Sequence, residues 1–185
     1  MKENQRITVT RRMLQEGLLR LLQGQSIDTI QVTALCAESG INRATFYRHY
    51  TTPRDVLDQI RKGIFQEIQT LIRKESPEDN LRKRLEVICQ YYYDHADVIR
   101  LLFANQTDEG FAQLFNEMYQ EHMPELTILC REQHVDPVDR KLASYYYTGG
   151  LLFILRQWLT EDIAKTPRQI AALIDSFISG KAEIE

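Results

Sequence analysis

Gly40 constrains the first fifty residues more than any other position. It stands between two short apolar-periodic stretches, with the small residue Cys36 four places before it and Ile41 and Phe46 after it. Glycine adopts the positive φ of a tight turn at no Cβ cost. A small residue one helical turn upstream lets two helices approach closely, and two apolar anchors hold the second against the first. Residues 32–51 (VTALCAESGINRATFYRHYT) therefore read as a helix-turn-helix. The bare spacing also suits a plain αα-hairpin, but the basic and aromatic residues that follow argue for the former. Once the core positions are assigned, Arg43, Thr45, Tyr47, Arg48 and His49 remain as the polar side chains of the second of these helices. Arginine reads guanine edges bidentately, while Tyr, Thr and His donate to phosphate oxygens. Asn42 is a good N-cap, and the helix start behind it offers backbone N–H groups to a phosphate.

The rest of the chain continues the helical pattern. Leu14, Leu18, Leu21 and Leu22 repeat at helical spacing, predicting a first helix over about 8–23, with Gly24 as its C′ stop. Thr52-Pro53-Arg54-Asp55 opens a long helix to about Lys74, with Thr52 as N-cap, Pro53 at the tolerated first position and Asp55 completing a capping-box-like pair. Further helices are expected near 80–94, 97–105, 109–133, 137–161 and 167–179. No alternating strand pattern and no internal repeat is present. The chain reads as all-α with about nine helices: a helix-turn-helix head over 1–52 and a helical body over 53–185.

Charge sharpens that division. The net charge of −3 speaks against a nucleic-acid partner at first sight. Residues 1–54, however, hold eight basic and four acidic residues, whereas 55–185 hold 15 and 22. Only the basic head needs to meet phosphate. With 43% hydrophobic and 26% charged residues the chain has an ordinary globular balance.

Several functions are excluded or disfavoured. Three distant cysteines without a CxxC pair fit a reducing compartment and no disulfide scaffold. The polar start MKENQR is no signal peptide, and the longest apolar run, Gly149–Leu155, is far too short for a membrane span, so a soluble cytoplasmic protein without membrane association is expected. The sequon at Asn105-Gln106-Thr107 is read as chance. No GxxxxGK[ST], HExxH, GxSxG or GxGxxG motif occurs, which argues against an enzyme, and no cofactor is expected. Cys130 and His134, with His122 two turns earlier, share a helical face, but without acidic partners they are not assigned as a metal site.

Residues 7–57 resemble the DNA-binding domain of the TetR family of bacterial transcriptional regulators. The likeness is carried by TRRMLQEGLLRLL at 10–22, VTALCAESGINRATFYRHY at 32–50 and PRDVL at 53–57. It implies base contacts from Arg43, Ala44, Thr45 and Arg48, and phosphate contacts from Asn42, Tyr47 and His49, with Gln31 and Thr33 at the start of the preceding helix. Two positions depart from the family pattern. Pro53 stands where a phosphate-binding lysine is common, leaving Arg54 as its substitute, and Gln31 replaces the usual threonine cap.

The resemblance also implies a regulatory body that often binds a small-molecule effector, and a homodimer paired through its last two long helices on a palindromic operator. The body is dense in aromatics, and Tyr92, Phe103, Phe115, Tyr119, Tyr146 and Phe153 are candidates for a ligand cavity, although aromatics at helical spacing also simply fill cores. Leu152, Leu155, Trp158 and Leu159, then Ile170, Leu173, Ile174 and Phe177, form two apolar stripes expected at the dimer interface, an intramolecular core being the alternative. Gly149-Gly150 within the first stripe suits close approach of another helix. The expected function is a homodimeric, sequence-specific regulator of transcription, a repressor by family habit. The competing reading is a helical protein-interaction module that does not bind DNA itself.

Overall fold

The computed structural model describes residues 2–75, 80–105, 136–161 and 163–181. Among these there are eight helices and no strand: α1 Lys2–Leu22, α2 Val32–Ser39, α3 Arg43–Tyr47, α4 Pro53–Glu75, α5 Leu81–Asp94, α6 Ala96–Ala104, α7 Pro137–Thr160 and α8 Pro167–Ile178. The chain forms two compact units. One comprises Met1–Glu67 with Leu101–Asn105, the other Ile68–Arg100 with Gln106–Glu185. The first unit thus includes the first part of α4, the last four residues of α6 and Asn105, as well as the 1–52 read from sequence.

In the first unit, Leu14, Leu18 and Leu22 of α1 are buried with Leu35 of α2, Phe46 of α3, and Val56 and Leu57 of α4. Helices α1 and α2 pack closely, and Gly17 is the reason they can. A Cβ at Gly17 would meet the Ser39 Cβ at 3.0 Å and its Cα at 3.2 Å. Ser39, also small, is buried with its hydroxyl donating to the Leu35 carbonyl at 2.7 Å. Gly40 adopts φ 67°, the left-handed turn its position demands.

Two details depart from the sequence reading. Helix α1 begins at Lys2 rather than near residue 8, because Lys-Glu-Asn-Gln-Arg continues the helix on propensity without any apolar periodicity. Gly24 is not a left-handed C′ stop, since the positive-φ glycines among the described residues are Gly40 and Gly180. Helix α1 instead winds down through i→i+3 bonds, Gln23 N–H to the Arg20 carbonyl and Gly24 N–H to that of Leu21.

In the second unit α5 runs against α8, with α7 beside α5. Leu85, Cys89 and Tyr91 of α5, Leu151, Leu152, Leu155, Trp158 and Leu159 of α7, and Ile170, Ala171 and Ile174 of α8 are buried. Both later helices start as their sequences dictate. Asp136 caps α7 by accepting from Val138 N–H at 2.8 Å, with Pro137 at the first position. Thr166 and Gln169 form a reciprocal capping box on α8. Such caps each contribute about 0.5–2 kcal/mol.

Candidate nucleic-acid interface

Three small devices hold α3 in place. The Asn42 side chain accepts from Thr45 N–H at 2.8 Å, capping the helix as its sequence predicts. Phe46 is fully buried. Around it Tyr47 packs edge-on, with centroids 5.4 Å apart at 81°, and Tyr50 lies at 6.0 Å. The regular helix ends at Tyr47, shorter than the sequence suggests, and continues as a turn in which His49 and Tyr50 N–H both bond the Phe46 carbonyl. Asp55 then braces the entry of α4, accepting from Thr51 and Thr52 N–H at 2.7 and 2.8 Å. Burial alone would raise its carboxyl pKa, but these bonds and the Thr52 hydroxyl outweigh it and hold the group below the ordinary range.

With Phe46 turned inward, the remaining α3 side chains face outward. Arg43, Ala44 and Arg48 are exposed, Tyr47 is 51% exposed, and Thr45 and His49 are half-buried. They are not independent. The Arg43 guanidinium carbon lies 6.0 Å from the Tyr47 ring centroid, within cation–π range. Arg48 donates to the Thr45 hydroxyl at 3.3 Å. Burial, then the charges of Arg11 and Arg48, push the His49 imidazole below its ordinary value. The influence of Arg11 brings α1 into this basic patch, which the sequence reading left out.

The positions flanking the motif are more committed internally. Gln31 makes no side-chain cap of α2, and the Thr33 hydroxyl lies 3.5 Å from its Oε1, a marginal donor contact between two exposed residues. Arg54, the sequence candidate for the missing lysine, forms an ion pair with Asp28. Its guanidinium serves the α1–α2 loop of the same unit.

The body's sequence candidates are dispersed. Tyr92 is half-buried, its phenol pushed up to about 12 by burial and then by the neighbouring Cys89. Phe103 is buried but belongs to the first unit. Tyr146 and Phe153 are 76% and 60% exposed on the outer side of α7, so they do not line an enclosed cavity of this subunit. Phe115 and Tyr119 lie outside the described residues, as do Cys130, His134 and His122. Among the described residues no cluster of three or more metal-ligating side chains exists, and no helix is long and apolar enough to cross a membrane.

Of the eight residues expected at a subunit interface, Leu152, Leu155, Trp158, Leu159, Ile170 and Ile174 are buried within the protomer itself. They fill the core that sequence reasoning held as the alternative. Leu173 is half-buried and Phe177 is 42% exposed. Helix α7 is apolar on both sides: Val138, Leu142, Tyr146 and Phe153 fall on one exposed stripe. Gly149 and Gly150 have open space where a Cβ would stand.

Known proteins share this architecture. Residues 79–180 match the family described as "Transcriptional regulator C-terminal region". A relative from Bacillus subtilis (strain 168), the "Uncharacterized HTH-type transcriptional regulator YxbF", is 23% identical over 181 residues. The match covers 96% of this chain and 47% of the relative, so the chain spans about half the length of that protein. The fatty acid degradation regulator FadR from Bacillus halodurans superposes with a TM-score of 0.63 over 92% of this chain and 93% of its own, at 13% identity. The dihydroxyacetone kinase operon activator DhaS gives 0.59 over 93% and 95%, at 15% identity. At such identities the likeness establishes a common fold.

Proposed function

The chain belongs to the TetR family of transcriptional regulators, whose C-terminal model matches more than half of it, and from that premise we propose that it binds operator DNA through α3 as a homodimer. The observation that carries this reading is the outward set on α3. Arg43, Arg48 and Tyr47 are exposed on a short helix whose buried anchor and capped start fix its orientation. Arg43, Ala44, Thr45 and Arg48 meet base edges, while Asn42, Tyr47, His49, Gln31 and Thr33 meet the sugar-phosphate backbone. Arg54 acts there through Asp28, by holding the α1–α2 loop, rather than as a direct clamp.

Dimerisation uses the outer side of α7. A helix apolar on both faces must bury both, and the stripe Val138, Leu142, Tyr146 and Phe153 supports a second copy as its cover. Two heads so joined read half-sites one helical turn, about 34–36 Å, or a multiple apart. The regulation is repression of genes next to the operator, relieved by a small-molecule effector that binds one state of the body better than the other. The setting is the cytoplasm.

Sequencing genomic fragments captured by the protein, followed by fluorescence anisotropy on the best of them, tests this reading. Affinity should fall steeply with salt, in proportion to the phosphates contacted. Failure to bind any genomic fragment would leave the protein-interaction reading in its place. Deleting the gene should raise expression of the adjoining genes; a fall would reverse the sign.

A further inference from the structure

The second unit contains an open cleft of about 590 Å³ where the ends of α5 and α7 meet the starts of α6 and α8. That volume lies in the range of small-molecule sites. Its lining includes none of the six aromatic candidates Tyr92, Phe103, Phe115, Tyr119, Tyr146 and Phe153. Tyr93 and Trp158 form one wall, Ile163 and Pro167 the rim, and Arg100 and Lys165 supply positive charge.

The cleft is built rather than incidental. Trp158 is 3% exposed and its indole N–H donates to the Lys165 carbonyl at 2.9 Å, pinning the α7–α8 connection. That connection is further tightened by Lys165 N–H to the Ile163 carbonyl at 2.7 Å and by the capping box at Thr166. Arg100 is fixed by Nε donating to the Leu159 carbonyl at 2.7 Å, and its guanidinium lies 3.7 Å from Asp97. Tyr93 stacks on Trp158 with centroids 5.8 Å apart and planes 18° from parallel, yet remains 55% exposed. A large aromatic ring is therefore held flat on a buried indole with much of its surface still open to solvent. Lys165 is exposed and has no ion-pair partner among the described residues.

We propose that this cleft binds a small organic anion with a flat apolar body, an aromatic carboxylate or sulfonate, which stacks on Tyr93 and places its charge by Lys165 and Arg100. The apolar rim selects the body, and the two cations select the charge. The inference gives the effector of the proposed regulation a site and a chemical class. It rests on that reading only for its consequence, because binding is measured without DNA.

Trp158 is the single tryptophan of the chain, so its fluorescence reports the cleft directly. The full chain is titrated with 2-naphthoate and, separately, with neutral 2-naphthylmethanol, and calorimetry counts the sites. Naphthoate should quench Trp158 saturably with one site per chain, and the alcohol should bind at least about tenfold more weakly. Lys165→Glu and Tyr93→Ala should each weaken naphthoate at least about tenfold. Both residues are exposed and circular dichroism should be unchanged; Lys165→Gln removes the charge with less perturbation and should also weaken binding. Absence of saturable quenching overturns the proposal, as does equal binding of acid and alcohol, or naphthoate affinity unchanged in the variants. Because DNA affinity is measured separately, failure here leaves the operator reading intact.

Discussion

The side-chain carbonyl of Asn105 accepts a hydrogen bond from the backbone N–H of Ile27 at 2.8 Å, joining positions 78 residues apart within one compact unit. The same residue donates its amide to the Leu101 carbonyl at 2.9 Å, and its own carbonyl accepts from Arg61 at 3.2 Å. Arg61 is itself buried and paired with Asp58 at 3.0 Å. The end of α6 is therefore part of the first unit, and it ties down the loop that leads from α1 into α2. Asn105→Ala leaves the buried Ile27 N–H without its acceptor. It should cost about 1–3 kcal/mol, read as a lower urea midpoint at unchanged m-value. An unchanged midpoint would mean that water replaces the amide without loss.

Under the proposed operator binding, the α3 side chains separate into base readers and phosphate contacts. Arg43→Ala should cost about 1–3 kcal/mol of operator affinity and flatten preference at one base position. Tyr47→Phe removes only a hydroxyl and keeps the ring beside Arg43, so it should weaken all sequences alike and by less. Anisotropy on the operator and on a scrambled duplex distinguishes the two. Identical specificity profiles for both variants would remove α3 from base readout.

Glycine substitutions should split by position. At Gly17 a methyl group meets Ser39 at 3.0 Å, so even Gly17→Ala gains little from helix propensity and Gly17→Leu should cost about 1–3 kcal/mol through overpacking. At Gly63, in the middle of α4, nothing lies within 4 Å of the added carbon. Gly63→Ala should stabilise by about 0.5–1 kcal/mol. Thermal denaturation of the pair checks the contrast. Equal shifts in both would mean that α1 and α2 part readily.

What the sequence disclosed follows the range of the interactions. The helix-turn-helix was legible because its causes are local: Gly40 needs its turn, Asn42 caps a helix three residues away, and Phe46 lies one turn from the helix start. The same holds for the cap at Thr52, where Asp55 N–H bonds the Thr52 hydroxyl. Range also explains what was hidden. Asn105 read as a chance sequon, since its partner Ile27 is in another part of the chain. The close approach at Gly17 needs Ser39 opposite, which no spacing reveals. Helix α7 offered two apolar faces without a rule for which one belongs to the subunit's own core. The side with Leu152, Leu155 and Trp158 is the inner one, where Tyr93 of α5 stacks on Trp158. Charge segregation was legible as a count, but the pairing of Arg54 with Asp28, which turns a candidate clamp inward, was not.

Asp55 makes the head's stability depend on pH. Its folded pKa is depressed, so its bonds to Thr51 and Thr52 stabilise the head above the ordinary carboxylate value of 3.8 and fade as pH falls through the lower folded value. Asp55→Ala should lose about 1 kcal/mol at neutral pH, a modest figure because the carboxylate is partly exposed. The gap between wild type and variant should close on acidification below about pH 4. Urea midpoints across that interval test it, and a constant gap would assign the loss to packing.

The outer stripe of α7 carries the last prediction. Val138, Leu142, Tyr146 and Phe153 are 64%, 59%, 76% and 60% exposed, and three of them follow one another at four-residue spacing. Burying one such side chain in a partner is worth about 1.5–3 kcal/mol, so four on each of two copies supply a large part of a stable interface. Between Tyr146 and Phe153, the two glycines leave room for a partner helix to come close, which offsets the roughly 1 kcal/mol that each costs a helix. Leu142→Glu combined with Phe153→Lys puts charges where that partner would sit, yet changes no residue of the subunit's own core. The double variant should sediment as a monomer with its helical content intact. Its operator affinity should fall steeply, because two linked heads gain an effective concentration that single heads lack. A double variant that remained dimeric would move the interface elsewhere, and a wild-type chain that sediments as a monomer would remove the dimer altogether.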